Sequence, residues 1–210
     1  MTHRVGLPTR RAITAAVLAL PLLGMAPRAR AGAQQEEALG DAVRTALAAS
    51  VADTAPPRPS FASMDDRLKY LHWLGAASQR LKKRKSEHVA RVEFLETMWY
   101  ETRRAGLEVS LTLGLVQVES GFRKYAISSA GARGYMQVMP FWTRAIGDGE
   151  PSRLFHMQTN LRFGCVILRH YLEVERGDLF LALGRYNGSR GRAEYPNMVF
   201  AARRQWEISA

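Results

Sequence analysis

Residues 107–118, LEVSLTLGLVQV, are apolar almost all the way round, and no other segment constrains the fold as strongly. A helix of that composition has no polar face to offer water, so other elements must enclose it. Its β-branched residues leave a buried strand open as the alternative. The following Ser120-Gly121 ends the segment in the manner of a helix.

The segment closes on Glu119. Burial disfavours a charged carboxylate, so an acid at the end of an apolar helix keeps its proton to unusually high pH. A protonated carboxyl is what a departing glycosidic oxygen requires. On the helix alone, a solvent-exposed Glu119 at a frayed end is an equally good reading.

Helical spacing recurs on both sides of this segment. Residues 34–55 read as a loose Ala-rich helix stopped by Pro56-Pro57-Arg58-Pro59, a stiff extended linker. From Ser63, Leu68, Leu71 and Leu74 with Tyr70 and Trp73 mark a helix that Asp65 or Asp66 can cap. Lys82-Lys83-Arg84-Lys85 interrupts it, either as a solvated helix end or as a patch for a polyanionic wall. Ser86 can cap the next helix, carrying Val89, Val92, Leu95, Met98 and Trp99, with Gly106 closing it. Further helices are expected from about Asn160 to Tyr171 and over DLFLALGRY, capped by Asp178. No segment alternates with period two over a useful length, so the expected fold is all-α.

The first residues constrain where the chain works. Residues 1–11 hold three arginines and no acid, an apolar run fills 12–26, and Ala29-Arg30-Ala31 and Ala31-Gly32-Ala33 both fit a small-residue cleavage site. That is the pattern of a secretory signal peptide, with a core too short and too interrupted by Pro21 to span a membrane comfortably. Arg10-Arg11 also permits a twin-arginine route, although the general secretory route is the expected one. Removing residues 1–31 takes five of the 30 Lys+Arg and leaves 25 against 19 Asp+Glu, a net +6. Such a surplus suits a polyanionic cell wall or anionic membrane surface, and export argues against nucleic acid as partner. Cys165 is the one cysteine, so no internal disulfide is expected, and its apolar setting suits an inert buried thiol. His72, His88, His156 and His170 show no ligand spacing, so neither a metal nor another cofactor is expected.

Residues 119–140 read ESGFRKYAISSAGARGYMQVMP. With Glu119-Ser120, Phe122, Ala126, Ser128, Gly131-Ala132, Gly134, Met136-Gln137 and Met139-Pro140 in place, the chain resembles the soluble lytic transglycosylases and their goose-type-lysozyme-like relatives. The family's later elements stand as Asn160 with Gly164, Tyr186-Asn187 and Tyr195-Pro196, so the resemblance runs over roughly residues 103–200. Tyr135 replaces the usual Leu, and Arg185-Tyr186-Asn187-Gly188-Ser189 departs from the usual A-Y-N-A-G, which puts the shape of that loop in question.

The resemblance implies a lysozyme-like helical domain that cleaves the β-1,4 bond between N-acetylmuramic acid and N-acetylglucosamine without water. Glu119 would protonate the glycosidic oxygen and then serve as base toward the 6-hydroxyl, leaving a 1,6-anhydromuramoyl end. Carried over by position, Ser128 would contact the N-acetyl group, with Gln137, Met139, Tyr186 and Asn187 along the cleft. Ser128 as a cap, Met139 as core and Tyr186 as a satisfied buried phenol are the bland readings beside these. Independently, no Asp or Glu occurs between Ser120 and Gly147, whereas ordinary glycosidases flank the bond with two acids. The expected layout is a signal peptide over 1–31, a flexible segment over 32–59, a helical extension over 60–105 and the catalytic domain over 106–200. The expected partners are periplasmic peptidoglycan strands and envelope machinery of unidentified kind, with no membrane span after cleavage. A water-using muramidase and a non-catalytic wall-binding module are the rival readings.

Overall fold

The computed structural model describes residues 1–2, 34–52 and 59–208. Nearly all of the expected export segment, and Pro56-Pro57-Arg58 of the linker, lie outside the described residues. Eight α-helices and a 3-10 turn carry the described chain, with isolated bridges at Ile127–Arg133 and Arg133–Val138 in place of any strand. The all-α expectation holds. Among the described residues no helix is long and apolar enough to cross a membrane.

Helix α1 (Asp41–Ala52) buries Leu47 and Val51 in the common core, within the Ala-rich segment expected to be helical. Helix α2 (Met64–Leu81) starts one turn earlier than the acids suggested. Ser63 is its cap, with Oγ accepting from the Asp66 amide, and Asp65 and Asp66 sit in the first turn, where the helix dipole favours them. Helix α3 (His88–Arg104) is capped by Glu87 rather than Ser86, since the longer carboxylate reaches both the Val89 and Ala90 amides. Gly106, at φ 65°, closes it as expected, with the Leu107 amide returning to the Thr102 carbonyl.

The apolar segment is helix α4 (Val109–Glu119), and residues 111–116 are buried without a break. It is enclosed chiefly by helix α8 (Glu194–Arg204), which comes so close that a Cβ on Gly114 would meet the Arg203 amide nitrogen at 2.6 Å. Helix α5 (Phe141–Ile146) and the 3-10 turn Pro151–Phe155 follow the motif segment. Helix α6 (Met157–Val174) extends past the expected ends on both sides, and helix α7 (Leu179–Asn187) is capped by Asp178 as expected, Oδ1 accepting from Leu181 N–H at 2.9 Å.

Helix α3 belongs to the same core. Phe94, Leu95 and Met98 are buried with Leu113, Leu115 and Leu161. Glu101 on α3 takes Arg162 of α6 in a two-point pair, Nε to Oε2 at 3.1 Å and Nη2 to Oε1 at 2.8 Å, with 1% and 3% of the side chains exposed. Removing one partner of such a pair strands a buried charge, at roughly 3–5 kcal/mol.

Candidate active site

Glu119 ends helix α4 inside the protein, 5% exposed, which removes the reading of it as a solvated helix end. Its Oε1 accepts from the Tyr195 phenol at 2.5 Å. Its Oε2 is buried and has no hydrogen-bond partner among the described residues. Burial pushes the carboxyl up to about 8, against the smaller opposite pull of the Tyr195 hydrogen bond. At neutral pH the group is a neutral acid with one oxygen fixed and the other uncommitted. No neighbouring carboxylate contributes to its shift. Asp148 and Glu150, the next acids in the sequence, are tied into their own turn. Asp148 accepts from the Glu150 amide and pairs with Arg153.

The segment after Glu119 is a coil of tight turns held from outside. Gly134, at φ 75°, admits no side chain, because a Cβ there would meet the Leu154 carbonyl oxygen at 2.6 Å. Asn160, one turn into α6, satisfies three backbone groups of this region: its Oδ1 takes the Met136 amide at 2.8 Å, and its Nδ2 donates to the Arg133 and Leu154 carbonyls. Four residues on, Gly164 leaves room for Met136, whose Cβ would lie 2.6 Å from a Cβ at that position. The Asn160–Gly164 spacing read from the sequence is therefore a clamp on residues 133–137.

The five residues expected to line the cleft fall into different situations. Ser128 is half-buried, and its Oγ accepts from the Ala132 amide at 3.1 Å, so it caps a turn and keeps its own O–H to donate. Gln137, at φ 50° and 2% exposed, spends its amide group on the Ala126 and Gly134 carbonyls. Met139 is half-buried against the core. Tyr186 is fully buried, donates to the Met136 carbonyl at 2.8 Å, and is raised well above the ordinary phenol by burial and by nearby Glu119. Asn187 donates to Ser189 Oγ at 3.0 Å while its Oδ1 is buried without a partner.

The loop departing from the family pattern is well formed. Gly188, at φ 76°, takes the left-handed position after α7, its amide returning to Arg185 and the Ser189 amide returning to Gly184 at 2.7 Å. That is a Schellman ending, for which glycine at this position is favourable. Arg185 pairs with Glu175 at 2.8 Å.

Three neighbours were not assigned a role from the sequence. Tyr195 stands out in the sequence only as part of the Tyr-Pro pair; it lies 76 residues from Glu119, and its role depends on α8 lying along α4. A spacing of Tyr195, Val199 and Ala202 with Pro196 in the first turn is the signal that would have found α8. The second is Gln34, whose buried Oε1 accepts from Trp142 Nε1 at 3.0 Å and from the Met139 amide at 3.4 Å. Its Nε2 is buried without a hydrogen-bond partner among the described residues. The strap leading from it to α1 is tied by Glu37 to Arg185 at 2.6 Å and by Glu36 to Arg144 at 3.7 Å. Trp142, the third, holds Gln34 from α5. Cys165 is buried with its thiol pushed up to about 12, the inert state expected of it.

A family model described as the transglycosylase SLT domain matches residues 97–207. The membrane-bound lytic murein transglycosylase C of Actinobacillus pleuropneumoniae serotype 5b (strain L20) is 37% identical over 84 residues, covering 36% of this chain and 23% of that protein. The protein of the same name from Cronobacter sakazakii (strain ATCC BAA-894) is 30% identical over 140 residues, 60% of this chain and 37% of that protein. The chain thus spans well under half the length of these relatives. Among solved structures, an inactive mutant of the lytic transglycosylase Slt from Pseudomonas aeruginosa is similar over 67% of this chain and 27% of that one, at 23% identity and a TM-score of 0.43. The family match takes in more than half of the 210 residues, including Glu119, the Asn160–Gly164 clamp and Tyr195, and by it the chain belongs to the transglycosylase SLT domain family.

Proposed function

We propose that this protein is an exported peptidoglycan lytic transglycosylase acting in the periplasm, cleaving between N-acetylmuramic acid and N-acetylglucosamine to leave a 1,6-anhydromuramoyl end. The observation that carries the reading is Glu119: a buried acid, neutral at pH 7, with Oε2 unpartnered and no second carboxylate coupled to it. A glycosidase of ordinary type needs a second acid as nucleophile or base. With one carboxyl, the same group must give its proton to the leaving oxygen and then take one from the 6-hydroxyl, and the sugar's own acetamido group is left to steady the oxocarbenium-like state. Tyr195 fixes the carboxyl through Oε1 and favours its charged form as the proton leaves. The relatives' name, lytic murein transglycosylase, supports the same reaction class.

In this reading Ser128 donates its free O–H to the substrate and Asn187 presents its unpartnered Oδ1. Gln137, Met139 and Tyr186 give the wall its shape, Gln137 and Tyr186 through the backbone carbonyls they hold. The arginine-flanked apolar N-terminus supports export.

Two measurements test the proposal. Glu119→Gln should retain binding to purified sacculi while releasing no soluble muropeptides; substantial remaining turnover would exclude Glu119 as the acid. Mass spectrometry of the wild-type digest should give muramoyl ends lighter by one water. Reducing ends instead would identify a hydrolytic muramidase, and binding without release a wall-binding module.

A further inference from the structure

The turn joining α2 to α3 brings Arg84 and Lys85 against residues 122–127, the segment that leads directly from Glu119 to Ser128. Between them lies a groove of about 620 Å³ into which Arg84, Lys85, Arg123 and Lys124 all face, with Glu87 as its one acidic lining residue. The Glu87 carboxylate is held by the Val89 and Ala90 amides. None of the four cations forms an ion pair among the described residues.

Lys85 is not a loosely solvated surface lysine. It is half-buried, donates to the Tyr135 phenol at 3.0 Å, and lies 5.5 and 5.2 Å from the ring centroids of Phe94 and Tyr135. Tyr135 is in turn fixed behind the catalytic helix end, its carbonyl accepting from Ser120 Oγ at 2.7 Å. Arg84 stacks over Phe122 and Lys124 over Tyr125. Aromatic faces thus orient like charges into one cleft, which concentrates their field and attracts an anion. Burial and nearby Lys124 both lower the Lys85 ammonium, whereas Glu87 and Glu93 raise it by less. Tyr125 and Ile127 are exposed on the same loop and offer apolar contact beside the charges.

We propose that this groove binds the peptide stem of the glycan strand, Lys85 and Lys124 receiving a stem carboxylate while Tyr125 and Ile127 pack against its apolar side chains. The inference rests on the transglycosylase reading, because a stem hangs from the muramic acid whose bond Glu119 would attack. It gives Tyr135 a purpose: where leucine would only fill space, the phenol holds Lys85 in place.

The test compares intact sacculi with sacculi stripped of peptides by an amidase. The variants are Lys85→Met, Lys124→Met and their double, which keep the aliphatic stems. On intact sacculi the double variant should raise KM about tenfold, equivalent to ~1.4 kcal/mol, with kcat little changed. On stripped strands it should match the wild type. Tyr135→Phe, which frees Lys85 without removing its charge, should show a smaller rise with the same substrate dependence. An unchanged KM on intact sacculi, or an equal loss on both substrates, overturns the proposal. So does a loss confined to binding of vesicles containing phosphatidylglycerol, which would make the groove a lipid contact. Wild-type protein that releases no anhydromuramoyl product from either substrate would instead overturn the transglycosylase reading beneath it.

Discussion

A carboxyl held up to about 8 makes both activity and stability fall as pH rises toward and through that value. Attack on the glycosidic oxygen needs Glu119 protonated, so kcat/KM should fall as pH rises through about 8. Tyr195→Phe deletes a hydrogen bond that favours the charged form, so this fall should move to higher pH. The same variant should lose roughly ten- to a hundredfold in kcat, since a bond to a charged group contributes about 1.5–3 kcal/mol. A pH-rate profile of both proteins reads the shift and the loss together. For stability the sign follows from proton counting. Between the unfolded value near 4.5 and the folded value near 8 the native state keeps a proton that the unfolded chain releases, so burial of Glu119 destabilises the fold increasingly over that window. Glu119→Gln should therefore melt at the same temperature as the wild type near pH 4 and progressively above it toward pH 8.

At the scale of elements, the site is a coil clamped between helices. The 133–137 segment depends on Asn160 for hydrogen bonds and on the empty space at Gly164 for Met136. Gly164→Ala would push against Met136 and should destabilise the protein by about 1–3 kcal/mol. Because Met136 also offers its carbonyl to Tyr186, turnover should fall as well, and denaturant unfolding with a muropeptide-release assay checks both. Helix α4 was legible because a segment apolar on all sides has few places to go, and α7 because Asp178 announces its start. The caps of α2 and α3 were misplaced by one to three residues, where several polar residues compete and only the folded backbone decides. Helix α8 carried a readable spacing, Tyr195, Val199 and Ala202, but no side chain caps its start. The chemistry of Glu119 was legible from its own helix, whereas its partner Tyr195 was not, because nothing local marks a residue 76 positions away.

Across the whole molecule, elements outside the family match contribute to the site's walls. Helices α1 and α2 and the first half of α3 share the core with the matched region, inside which Glu101 and Arg162 pair. Neither connection was visible in sequence, because both join residues far apart along the chain. The strap at residues 34–39 is the clearest case. Gln34 places a primary amide against Trp142 and Met139, with two N–H donors converging on its carbonyl oxygen. Truncating Gln34 would leave both donors without that acceptor. Gln34→Ala should therefore destabilise the protein by about 1–3 kcal/mol, which denaturant unfolding reads.

A tethered segment behaves like a ligand present at fixed concentration, in the millimolar range for a short flexible tether. Dilution of the protein therefore does not weaken its hold. Cutting the chain between Gln34 and α1 would turn that hold into an ordinary dissociation, so the contact of Gln34 with Trp142 depends on an unbroken strap.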